Sequence, residues 1–548
     1  MATQHFFDNK IIKLPGAYSA VKFVTNNPPS ESSYSKVLLI DTGLGAGWSG
    51  GSGVTGTLQQ GKNSIYRFTK LSEFQSFIKG GYLYKIAEPL FNPTRVSGAT
   101  GISELIYVSA KTSAPAELTI TLTDPDGAGV GVAGSFVLQL LDEGTFGNGV
   151  KETIDGVDIL TKGYALTLHK GTRDVTKFSV KLWVSTYTGV YTDNIPYNEV
   201  SKANSLQYMV WQSPEISTVT ELVTAMEADT VFNQGFKIKS FIEGSFVTAD
   251  LTLIAGLNLF AGGTETYNAA DLEEALAVTK DLDYSILLSD VSGDDVTGTT
   301  NTRLQYHIQS EAKFEKFLAV AGHAAKADLA DDKAAAAYFN SDRVWVISGG
   351  AGKLSTLATT GFREYDALYM AACIVGRIAG LQPQVPGTFK SLNIEKSLLN
   401  LNEDEQGDCL DAGLLVSIYD EDFKQFTILK AVNSLQNNKN LANPDGTSAS
   451  IQIKRVAAQI NKELAINAKK DLLSQENGVN INTLSPSDLK DYTEVFLSSK
   501  IATKQKDNLI LSFQNVQVSR VGDAYFTTYE FEGNTEISFL FFTGFQLF

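Results

Sequence analysis

An α/β fold joined to an antiparallel β domain, with an extended strand arm at each end, is the architecture that this sequence predicts. Three observations carry it. Hydrophobic strands such as "SILLSD" and "RVWVISG" alternate with segments of helical period after Val219, the texture of a mostly parallel sheet. From about Ala114 to Trp211 short alternating strands are separated by Gly and Asp turns, which suggests an antiparallel β-sandwich. The chain also opens and closes on extended hydrophobic segments. The last, "NTEISFLFFTGFQLF", has five Phe in fifteen residues, one acidic residue and no Lys, Arg or Pro.

In chain order, "IIKLPGAYSAVKFV" (Ile11–Val24) alternates like a strand with a break at Pro15–Gly16, and "TNNPPSESSYS" follows as a linker. "KVLLIDTG" is a buried strand ending in Gly. "KLSEFQSFI" (Lys70–Ile78) has the apolar spacing of a helix at Leu71, Phe74, Phe77 and Ile78, and "ISELIYVSA" (Ile102–Ala110) is the next strand. "AELTITLTD", "GSFVLQLLDEG", "GYALTLHKG" and "KFSVKLWVSTYTGV" supply the β-sandwich. "AADLEEALAV" (Ala269–Val278) and "RLQYHIQSEAKFEKFLAVAGH" (Arg303–His323) read as helices by period. "EYDALYMAACIVGRIAGL" (Glu364–Leu381) is a buried helix, and "EDEQGDCLDAG" (Glu403–Gly413) a short one stopped by Gly. "LLVSIYD" and "FTILKAV" form a strand pair. "SIQIKRVAAQINKELAINAKKDLL" is a strand running into a long amphipathic helix. "DNLILSFQNVQVS", "AYFTTYEFEG" and the Phe-rich tail are three consecutive strands.

Bulk composition narrows the function. With 548 residues, two to four domains are expected. A net charge of −16 argues against nucleic-acid or anionic-membrane binding, which need clustered cations. Two cysteines, Cys373 and Cys409, exclude a disulfide framework and a structural zinc cluster. The opening "MATQHFFDNK" is not a signal peptide, and no apolar run is long enough to span a bilayer.

Candidate chemistry is weak. "GLGAGWSGGSG" places GxGxxG at Gly45, Gly47 and Gly50 after a strand, but no helical period follows to set amides against a pyrophosphate. "GGAGKLST" has Ile347 and Leu354 where a phosphate loop needs Gly and Ser or Thr, so it is a turn after a strand. His5, His169, His307 and His323 lack metal-binding spacing, no GxSxG nominates a nucleophile, and the acidic runs "EDEQGD" and "SGDDVTG" lack the ligand pattern of a calcium loop. No catalytic residue, cofactor or metal is expected. Two unblunted terminal strands point instead to pairing with other chains.

Seven segments in order resemble the contractile tail sheath proteins of bacteriophages and related contractile injection systems. They are "KLPGAYSAVKF", "FTKLSEFQSFIKGG", "LLDEGTFGNGVKETI", "LFAGGTETYNAADLEEAL", "EYDALYMAACIVGRIAGLQPQVPGTFKSLNIE", "LNEDEQGDCLDAGLLVSIY" and "IQIKRVAAQINKEL". The resemblance implies a subtilisin-like α/β core domain without catalysis, an inserted β-sandwich, and N- and C-terminal strand arms. The expected division is 1–35 arm and linker, 36–110 N-terminal α/β segment, 111–218 β-sandwich, 219–395 subtilisin-like domain, 396–534 C-terminal inner sheath domain and 535–548 C-terminal arm. It further implies hexameric rings stacked around a tail tube, with other copies of this chain, the tube protein, and baseplate and terminator proteins as partners. No nucleic acid is bound and no membrane entered. The place of action is the virion tail, assembled in the host cytoplasm. The arm residues are then Ile12, Leu14, Tyr18, Val21 and Phe23 at one end and Ile537, Phe539, Phe541, Phe542, Phe545 and Phe548 at the other. The helix carrying Lys454, Arg455, Lys462, Lys469 and Lys470 faces the tube in this reading. The alternatives are a nucleotide-binding α/β enzyme and a surface-layer or adhesin assembly protein.

Overall fold

Seven strands make the central sheet, in the order Leu414–Leu415, Val344–Ile347, Phe317–Ala321, Ile286–Ser289, Lys36–Asp41, Glu104–Ser109, Ile65–Phe68. All run parallel except the last, which lies antiparallel on Glu104–Ser109. The computed structural model describes residues 5–7, 10–12, 33–42, 64–78, 82–123, 133–154, 157–185, 207–354, 361–435, 450–472, 484–501, 509–522 and 524–533.

The apolar runs of these strands have a direct cause. Val37, Leu39, Leu105, Tyr107, Ile286, Leu288, Phe317, Trp345 and Ile347 feed the core on one face. Leu38, Ile40, Ile106, Val108, Leu287, Leu318, Val344 and Val346 feed the core on the other. Side chains alternate between faces, so a sheet buried on both must be apolar at every position. Helices Leu71–Phe77, Tyr82–Phe91 and Ala367–Ala379 cover the first face, and Ala269–Thr279, Thr299–Tyr306 and Leu329–Phe339 the second. All thirteen residues of Ala367–Ala379 are buried.

Local chemistry sets the helix ends. Asn268 with Asp271, Asn402 with Glu405 and Ser485 with Asp488 form reciprocal capping boxes, which satisfy donors that the first helical turn leaves unpaired. Gly413 ends Glu403–Ala412 at φ 76°, a left-handed conformation that costs glycine little.

Between the Glu104–Ser109 and Ile286–Ser289 strands the chain forms two four-stranded antiparallel sheets. One holds Lys111–Thr121, Ser135–Glu143, Phe236–Ile242 and Thr264–Tyr267; the other holds Tyr164–Lys170, Phe178–Ser185, Gln207–Gln212 and Asn258–Leu259. They share one core, with Leu118, Phe136 and Leu138 from the first and Leu166, Val180 and Leu182 from the second. Tyr164, Phe232, Phe236 and Trp211 interlock there at ring separations of 5.3–5.6 Å.

Three readings change. The helix expected over Arg303–His323 stops at Tyr306, passes through a π-turn at His307–Glu311, and gives way to the central strand Phe317–Ala321. A short apolar run fits either period, and burial between two parallel neighbours decides for the strand. "SIQI" is no strand: Ile451–Leu472 is helical from its first residue, and Ser450 forms only an isolated bridge with Val432. The antiparallel sheets also draw strands from beyond residue 218, as far as Tyr267, because their edges are completed by later segments.

Candidate assembly surface

The long helix Ile451–Leu472 changes character along its length. Its first fifteen residues, Ile451–Ala465, are buried, including Gln452, Lys454, Arg455, Gln459, Asn461, Lys462 and Glu463. Ile451 and Ala458 pack into the core of the sheet body, whereas Ile460 and Leu464 join Phe496, Leu497, Ile510, Val516 and Phe531 in a separate cluster. One helix thus ties the body to a C-terminal unit made of helix Pro486–Ser498 and the hairpin Ile510–Val521/Ala524–Gly533.

Polar contacts fix that unit. The Tyr529 hydroxyl donates to Asn461 Oδ1 at 2.6 Å, and Tyr492 to Asp471 at 2.8 Å. Lys500 pairs with Glu463 at 2.8 Å and lies 4.7 Å from the Phe496 ring. The hairpin is a two-stranded sheet among the described residues, with a bulge near Asn515, whose φ is 54°. Leu511 and Val521 are exposed on it. A lone hairpin is marginal in water, and an edge without a third strand exposes backbone donors and acceptors ready for another chain. The chain continues directly from Gly533 into residues 534–548.

At the other end His5–Phe7 pairs antiparallel with Lys10–Ile12, so Ile11 and Ile12, the start of the expected strand, are paired within the chain's own N-terminal segment. Ile12 lies opposite His5 in that hairpin. Leu14, Tyr18, Val21, Phe23, Ile537, Phe539, Phe541, Phe542, Phe545 and Phe548 lie outside the described residues, as do Gly45, Gly47 and Gly50.

The five helix cations divide. Lys454 pairs with Asp342 at 3.1 Å, Lys462 pairs with Asp283, and Arg455 Nη2 donates to the Leu381 carbonyl at 2.8 Å. These three are buried against the chain's own body, while Lys469 and Lys470 are exposed at the far end of the helix. Periodicity marks all five as one charged set; only the fold of the preceding 450 or so residues distinguishes them.

Elsewhere polar groups hold structure. Lys353, the lysine of "GGAGKLST", donates to Asn393 O and Oδ1 at 3.0 Å from a short strand, Ala351–Leu354. His307 is buried between Tyr284 at 3.2 Å and Glu311 at 3.1 Å. His323 meets carboxylates at both nitrogens, Asp332 at 2.8 Å and Asp294 at 3.3 Å. Burial lowers its pKa, but those carboxylates more than offset this and leave it above the ordinary value. An imidazole so occupied has no nitrogen directed at a hydroxyl nucleophile. Among the described residues no three His, Cys, Asp or Glu side chains converge as metal ligands, and no helix is long and apolar enough to cross a membrane.

No family model and no curated protein matches the chain. Solved structures do. The sheath tail protein from Desulfitobacterium hafniense aligns over 93% of this chain and 99% of its own, at 10% identity and a TM-score of 0.52. The sheath tail protein from Listeria innocua aligns over 92% and 96%, at 13% identity and a TM-score of 0.48. A chain of the anti-feeding prophage helical sheath in its contracted state aligns over 52% and 78%, at 13% identity and a TM-score of 0.34. Across nearly its whole length, this chain has the fold of the Desulfitobacterium sheath tail protein.

Proposed function

We propose that the chain is the structural subunit of a contractile tail sheath, a subtilisin-like core with an inserted β-sandwich. In this reading it polymerises as hexameric rings around a tail tube and shortens to drive that tube through a cell envelope. The observation that carries it is the fold match, which covers 93% of this chain and 99% of the Desulfitobacterium sheath tail protein. The two-stranded hairpin supports strand exchange as the linkage: residues 534–548 of one copy would add to the hairpin of another. A strand of about ten residues gives several intermolecular hydrogen bonds worth roughly 1 kcal/mol each, and each buried Phe adds about 1.5–3 kcal/mol. Such arms hold while the folded bodies re-pack. A metastable extended lattice with a second packing lower in energy needs no nucleotide. Baseplate and terminator proteins would be the other contacts, and the assembled tail the place of action.

Electron microscopy of the purified chain, alone and with its tube protein, tests this. Striated tubes with a hollow lumen are expected from the intact chain, and small monodisperse particles once residues 535–548 are deleted. Tubes from the truncated chain would reject strand exchange by that segment. No polymer from the intact chain under either condition would reject the sheath reading itself.

A further inference from the structure

Where the long helix crosses the sheet body, a cavity of about 20 Å³ opens beside the N-terminal ends of the parallel strands. Its lining includes Tyr34, Glu315, Gln459, Lys462 and Arg455. That volume is more than a single water molecule needs.

The seam around it is charged, and most of its ions are matched; the exceptions are Arg455 and Lys316, whose Nζ donates to the Leu282 and Tyr284 carbonyls at 2.9 and 2.6 Å. Lys454 has Asp342, Lys462 has Asp283, Lys500 has Glu463, and Arg343 has Glu315 at 3.0 Å. Glu315, the acid in the cavity wall, is therefore already engaged. Arg455 is 4% exposed, and among the described residues it donates to a neutral carbonyl, Leu381 O. Burial pushes its guanidinium down to about 10, which still leaves it cationic at neutral pH. A buried cation without a counter-charge is costly, and proteins pair such groups or supply an ion.

We propose that this cavity binds a small inorganic monovalent anion of chloride size against the Arg455 guanidinium. The unmatched charge selects an anion over water. Bound there, the anion clamps the long helix to the body, so the seam between body and C-terminal unit responds to the halide present.

The test is the melting temperature of the full chain at pH 7.5 and constant ionic strength, with gluconate replaced stepwise by chloride. A saturable rise of about 1–3 °C is expected for a site occupied well above its dissociation constant. Arg455→Gln should abolish the rise, and Lys470→Gln, at the exposed end of the same helix, should retain it. No chloride-dependent rise in the wild type, or an equal rise in Arg455→Gln, overturns the proposal. Should Arg455→Gln not fold, bromide-soaked wild-type crystals decide: an anomalous peak in the cavity beside the guanidinium supports the site, and its absence rejects it.

Discussion

At Asp290 the fold keeps a carboxyl group out of water and beside a second one. Asp290 accepts the Thr42 amide at 2.6 Å and lies 2.8 Å from the Thr42 hydroxyl. Close by, Asp41 takes the Tyr107 hydroxyl at 2.8 Å and Lys111 Nζ at 2.9 Å, and Lys111 is also 3.1 Å from Glu265. Three carboxylates thus face one ammonium among the described residues. Burial first, then the charge of Asp41, raises the Asp290 pKa from 3.8 to about 7, against the smaller pull of Thr42 and Lys111. The folded state holds the proton more tightly than the unfolded chain does. The stabilising contribution is therefore complete below about pH 4 and is lost as pH rises through about 7. Asp290→Asn mimics the protonated carboxyl, with its oxygen accepting the Thr42 amide and its NH2 donating to the Thr42 hydroxyl. Its gain in melting temperature over the wild type should be larger at pH 8 than at pH 5, and should vanish below about pH 4. A variant that melts lower at both pH values would show that ionisation of Asp290 is not the cost. Sequence reasoning had no access to this group, because Thr42 and Asp290 are 248 residues apart.

Among the elements, the helix Ala367–Ala379 was the most legible, since an apolar surface around nearly its whole circumference, broken only by Arg377 in the last turn, has no stable place except a core. What the pattern does not reveal is how closely it packs. A Cβ on Gly376 would sit 2.5 Å from Pro89 O and 2.7 Å from Leu90 O of the helix Tyr82–Phe91. Gly376→Ala should therefore cost about 1–3 kcal/mol by overpacking, despite the better helix propensity of alanine. Denaturant unfolding would read this as a lower midpoint, and an unchanged or raised midpoint would mean that the two helices can part without cost. The strand Phe317–Ala321 marks the opposite limit. "FLAVA" has no polar residue to reveal a period, so the helical pattern ahead of it extends through it on paper. Its two parallel neighbours, not its own composition, make it a strand.

For the molecule as a whole, the charges that remain available to a partner matter most. Lys469 and Lys470 are the two cations of the expected tube-facing set that the body leaves exposed. Reversing both to Glu should abolish polymerisation on tubes while leaving the melting temperature within about 1 °C, since exposed charges contribute little to folding. Unchanged assembly would remove this end of the helix from the tube contact. By contrast, a reversal at Lys462 should destabilise the chain itself, because that side chain and Lys36 both hold Asp283.

Alternation of apolar runs with helical periods and the Gly413 stop were enough to foresee a parallel sheet body, an antiparallel insertion and the helices Ala269–Thr279, Ala367–Ala379, Glu403–Ala412 and most of Ile451–Leu472, but not Tyr82–Phe91, Val219–Ala228, Leu329–Phe339 or Pro486–Ser498. The features foreseen depend on neighbours within a turn or a hairpin, and neighbours in sequence are always present. Which cations face solvent, which strands close the antiparallel sheets and where Asp290 and Arg455 are buried depended on the tertiary structure. Those outcomes rest on contacts between distant segments, such as Lys36 with Asp283, 247 residues away, whose meeting no local pattern encodes.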